Sequence, residues 1–153
     1  MKKVLLLSIF LVVIVLSSGC LFYEKEPVTE DDAKFIIGYA SLINHLKSED
    51  IEIKTLGISR QPFFSVRSMN LTLNGELVYV FDYSNVTAAR NDMALVSPDA
   101  QLINNTRMRW TGTPHFFNSE EIIVLYIGDN RKIITALESG MGVQFAPQSA
   151  KIE

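Results

Sequence analysis

The chain has 153 residues, with 14 basic and 17 acidic side chains and 48% hydrophobic residues, which suits one compact domain and argues against disorder over the whole length. Its only cysteine, Cys20, excludes an internal disulfide framework, a thiolate zinc cluster and a CxxC redox centre. A formal net charge of −3 supplies no excess of Lys and Arg for a nucleic-acid face.

The N-terminus reads as an address. Lys2 and Lys3 precede an apolar run from Val4 to Leu16, and Ser17-Ser18-Gly19-Cys20 closes it. A positive start, an apolar segment of about 13 residues and small residues after it are the three parts of a signal peptide. The competing reading is a retained transmembrane helix, since the stretch continued through Phe22 reaches the roughly 20 apolar residues that span a bilayer. The expected organisation is a signal peptide over 1–19, a lipidated Cys20 with a linker over 20–27, and one domain over 28–153. Loss of Lys2 and Lys3 leaves 12 basic against 17 acidic side chains. Anionic lipid would repel that surface, so the membrane is expected to hold the domain through the lipid anchor alone, on the extracytoplasmic face.

Thr29 is placed to cap a helix whose apolar positions Phe35, Ile36, Tyr39, Leu42, Ile43 and Leu46 recur at helical spacing up to Lys47. Ile51, Ile53 and Thr55 alternate as in a half-buried strand that Gly57 is expected to end. Asn74-Gly75 then joins two alternating stretches, 63–73 and 76–83, as a hairpin with a type I′ turn. Ser84 or Asn85 is expected to cap a second helix over 86–95, stopped by the turn Ser97-Pro98-Asp99. A short strand over 107–110, a loop with Gly112 and Pro114, a β-branched strand over 122–127 and a third helix over 129–139, ended by Gly140, complete the chain. These elements define an α+β fold: an antiparallel β-sheet of about five strands with three helices, in the order α-β-β-β-α-β-β-α, the helices on one sheet face.

Several segments, Leu73-Asn74-Gly75-Glu76, Val96-Ser97-Pro98-Asp99, Pro114-His115-Phe116-Phe117 and Gln144-Phe145-Ala146 among them, resemble a family of uncharacterised small lipoproteins of bacteria and archaea. That family usually has Tyr at the place of Phe117, Gly at Ala100 and Pro at Val143. The resemblance implies a tethered extracytoplasmic domain and carries no activity or catalytic residues with it.

Trp110, His115 and Asp129 are the candidate ligand-binding residues. Histidine works as acid, base or ligand near neutral pH, and a tryptophan beside the Thr111-Gly112-Thr113-Pro114 loop can wall a site for a small ligand or sugar. The competing role for His115 is structural, an imidazole bonded to a loop carbonyl. A triad of Ser97, His115 and Asp129 lacks the Gly-x-Ser-x-Gly elbow that would locate it. His45 and His115 lie far apart, so neither a metal nor another cofactor is expected. Of the three N-x-[ST] triplets, Asn85 and Asn104 are candidate glycosylation sites, whereas Asn70 falls inside a strand. The functional expectation is a lipid-anchored binding or protein-interaction module of the cell envelope, its partner an envelope protein or a small ligand. An envelope hydrolase using His115 and a structural envelope component are the alternatives.

Overall fold

The computed structural model describes the backbone of residues 30–148 and the side chains from Gly38 onward. The signal segment, Cys20 and the Thr29 cap lie outside the described residues. Helix α1 spans Glu30–Ser48, followed by strands β1 (Ile53–Arg60), β2 (Arg67–Leu73) and β3 (Glu76–Asp82) and by helix α2 (Val86–Met93). Two two-residue strands, β4 (Leu102–Ile103) and β5 (Thr106–Arg107), pair with each other. Strands β6 (Pro114–Ser119) and β7 (Ile122–Ile127) and helix α3 (Arg131–Met141) complete the domain. The main sheet is antiparallel throughout, in the order β1-β2-β3-β7-β6. Counted on this sheet, the element order is the α-β-β-β-α-β-β-α read from the sequence.

Local chemistry explains most boundaries. Asn74 and Gly75 take φ of 49° and 86°, the two positive angles of a type I′ turn, and set Leu73 opposite Glu76. Asn85 caps α2 by accepting from the Ala88 amide, and Asn130 caps α3 through the Lys132 amide. Gly57 does not end β1. It sits at a bulge, with φ of 125°, where the register with β2 shifts, and the strand runs on to Arg60. Leu56 and Ile58 on this edge strand stay exposed. Nor does Gly140 end α3: Gly142, at φ of 85°, does so, while Gly140 lies inside the helix against His45 of α1. The fourth strand of the sheet is Pro114–Ser119 rather than 107–110, because proline is tolerated as the first residue of an edge strand.

Both faces of the sheet are covered, not one. Val80, Val124 and Phe117 stand opposite one another across three strands and join Leu42, Leu46, Ile133 and Leu137 of α1 and α3 in one core. On the other face Tyr79, Leu125 and Phe116 are opposed in the same way, under Ala89 of α2, Ile103 of β4 and the irregular segments that carry Phe64, Ala100 and Ala146. Strand β7 is therefore apolar at every position from Ile122 to Ile127, as a strand buried on both sides must be. The outer edge of β6 is closed at Phe116, whose amide donates to Ala146 O (2.7 Å) and whose carbonyl accepts from the Phe145 amide (2.8 Å).

Candidate functional site

Alternation along β6 decides where the candidate residues fall. His115 lies opposite Tyr126 and stacks on it, ring centroids 5.7 Å apart and 19° between planes, on the face of α1 and α3. Phe116, one residue on, points to the other face and packs edge-on against Trp110, centroids 5.9 Å apart. The sheet thus separates His115 from Trp110, five residues apart in the chain.

His115 is 8% exposed. Its Nδ1 lies 2.6 Å from Gln144 Oε1 and its Nε2 lies 3.0 Å from the carbonyl of Gly128. Beneath it, the Tyr126 hydroxyl donates to Glu76 Oε2 (2.5 Å) and accepts from the Asn130 amide (2.9 Å), and Asn130 Nδ2 donates to Glu76 Oε1 (2.9 Å). Burial, followed by the hydrogen bond to Glu76, pushes the Tyr126 phenol up to about 12. A Cβ at Gly128 would collide with the Tyr126 hydroxyl and Glu76 Oε2, so any other residue there would have to displace that pair. This cluster is filled and satisfied. It ties the β2–β3 turn, the start of α3 and the C-terminal segment together.

Ser97 is a turn residue. Its hydroxyl donates to Asp99 Oδ1 (2.6 Å) and accepts from the Leu102 amide (2.8 Å), while Asp99 Oδ1 also accepts from the Gln101 amide (3.0 Å). The Ser97 hydroxyl and then the Gln101 amide hold the Asp99 carboxyl below its ordinary range. Neither Ser97 nor Asp129 is a hydrogen-bond partner of His115, so the triad that composition permits is not assembled. Asp92 is likewise structural: its Oδ2 accepts from Ser65 N, Ser65 Oγ and Tyr83 OH at 2.7–2.9 Å. Burial, with Asp92 adding to it, lifts the Tyr83 phenol beyond the usual range.

Trp110 and Asp129 do share a site. They line an open groove of about 530 Å³ together with Gln101, Arg107, Arg109 and Thr113. The Trp110 indole N–H donates to Ala100 O (2.7 Å), and Ala100 takes φ of 57°, a left-handed conformation that favours glycine. Arg107 and Arg109 are exposed, and among the described residues neither makes an ion pair or a hydrogen bond. Sequence reading missed both, because Arg107-Met108-Arg109 looks like any solvated strand. Two like charges at i and i+2, directly before the only tryptophan of an acidic chain, were the available signal.

A second cavity, of about 400 Å³, opens between α1, α3 and the β6–β7 turn. Of its lining, His45 Nε2 lies 3.0 Å from both Ala136 O and Ser139 Oγ, and Asp82 and Glu121 have partners of their own. Among the described residues no three His, Cys, Asp or Glu are grouped to hold a metal ion, and no helix is long and apolar enough to cross a membrane. Of the glycosylation candidates, Asn85 uses both ends of its amide, accepting from Ala88 N and donating to Ser84 Oγ. Asn104 sits exposed in the β4–β5 turn at φ of 47°.

Comparison with protein-family models, with curated proteins and with solved structures finds no match.

Proposed function

We propose that the protein is a lipid-anchored extracytoplasmic binding module whose site is the groove beside Trp110. The observation that carries the binding half is the groove itself, which Trp110 and Asp129 line together with Arg107 and Arg109, two exposed arginines that make no ion pair or hydrogen bond among the described residues. Elsewhere in the described domain the buried polar groups of Asp92 and Tyr126 bond to their own neighbours, which is how scaffold behaves. The anchoring half rests on the order Lys2-Lys3, Val4–Leu16 and Ser17-Ser18-Gly19-Cys20, and the likeness to small prokaryotic lipoproteins points the same way. Under this reading Cys20 holds the domain at the outer face of the membrane and the groove faces the envelope.

The test is complementation of a deletion strain with Asp129→Lys, a charge reversal at an exposed groove position. Loss of rescue at an unchanged denaturation midpoint supports the reading. Full rescue, by this variant and by Gly112→Trp, which crowds the same groove, overturns it.

A further inference from the structure

We infer that the groove takes an acidic saccharide, a sugar unit carrying a carboxylate or a phosphate, with Arg107 and Arg109 as the oxyanion-binding pair; this rests on the reading of the groove as the binding site.

A guanidinium is a planar fork of donors that matches an oxyanion in two bonds at once. Arg107 and Arg109 stand two residues apart, both exposed and both lining one groove, with no ion pair or hydrogen bond among the described residues, so their donors are open to a ligand there. The field of Arg107 reaches Asp99, but as the weakest of the influences that hold that carboxyl low. Two cations side by side repel each other, and an oxyanion between them relieves that repulsion.

The rest of the lining narrows the class. Asp129 carries a negative charge on the same groove, which repels a bare anion and asks for a hydrogen-bond donor at that place. A sugar hydroxyl supplies one, and the Gln101 amide can both give and accept beside it. Met108 and Trp110, both half-buried on the groove, provide apolar surface against which the C–H face of a sugar ring packs. Cationic donors, an acceptor for hydroxyls and apolar surface on one groove together describe an acidic sugar.

The experiment uses the full-length protein in a sugar-free neutral detergent. Its single tryptophan lines the groove, so Trp110 emission reports occupancy. Titrations are made with trigalacturonate, with its neutral counterpart galactotriose, and with inorganic phosphate. The expected result is a saturable change with trigalacturonate, weakened about tenfold or more in Arg107→Gln/Arg109→Gln and weakened by added salt. Galactotriose binding equally well, with the arginine variant unaffected, would overturn the inference while leaving the groove a binding site. Phosphate alone reproducing the trigalacturonate affinity would overturn the saccharide. Silence toward both saccharides overturns it as well, and the Asp129→Lys complementation then decides separately whether the groove binds anything.

Discussion

His115 stacks on Tyr126 with its two ring nitrogens beside Gln144 and Gly128, and this arrangement makes it a joint between β6, β7 and the C-terminal segment. His115→Ala removes a buried ring together with its polar contacts, so we expect a loss of about 1–3 kcal/mol. Function should fall only as far as stability does. Urea denaturation beside the activity readout checks this, and a stable but inactive variant would return His115 to the site.

A second prediction concerns the seam between α1 and α3. Alanine in place of glycine inside a helix usually stabilises it by roughly 0.5–1 kcal/mol. At Gly140 the new Cβ would overlap the His45 ring, so Gly140→Ala should instead cost about 1–3 kcal/mol. The penalty should shrink in a His45→Ala background, and a double-mutant cycle of unfolding free energies measures the difference. Equal penalties in both backgrounds would mean that the ring moves aside freely.

Gly75→Val places a β-branched residue at φ of 86° in the β2–β3 turn. The expected cost is about 1–3 kcal/mol, read as a lower denaturant midpoint with the slope unchanged.

Alkaline pH should unfold the domain through its buried phenols. The hydroxyls of Tyr126 and Tyr83 are both held above the ordinary value of 10.0, by burial first and by Glu76 and Asp92 next. The unfolded chain therefore releases these protons at lower pH than the folded one, so their stabilising contribution is complete below about pH 10 and declines as pH rises toward 12 and beyond. Phenolate absorbance and circular dichroism followed together should show these two of the five tyrosines titrating only as structure is lost. Full phenolate signal from a folded protein would contradict the burial.

Cys20→Ser should release the protein from the membrane fraction and abolish palmitate labelling. Persistent attachment without label would identify Val4–Phe22 as a retained transmembrane helix.

How much was legible follows from which signals are local. The Asn74-Gly75 turn, the Asn85 cap and the apolar β7 are each determined by residues next to one another, and each stands where its chemistry puts it. Strand β6 was missed because Pro114-His115 reads as loop, and only its pairing with β7 makes a strand of it. That omission joined Trp110 and His115 into one imagined cluster, since proximity along a loop implies proximity in space whereas proximity along a strand alternates faces. The groove was half visible, through Trp110 and Asp129. Its two arginines carry no pattern of their own, and that they make no ion pair or hydrogen bond among the described residues is a property of the folded surface alone.

The sheet order also has a kinetic meaning. Strands β2 and β3 are joined by a tight turn and can pair within microseconds, as hairpins do. The central pairing of β3 with β7 sets Asp82 opposite Ile122, across α2, the β4–β5 ribbon and β6, and α1 then rests against α3 at the far end of the chain. Such distant closures slow folding, because loop entropy is lost before the contacts that repay it are made. A chain cut short before β7 keeps the hairpin with β1 and α1 but lacks the central strand and the helix α3 that complete the core, so the domain reaches its cooperative state only after nearly all of its length is free to fold.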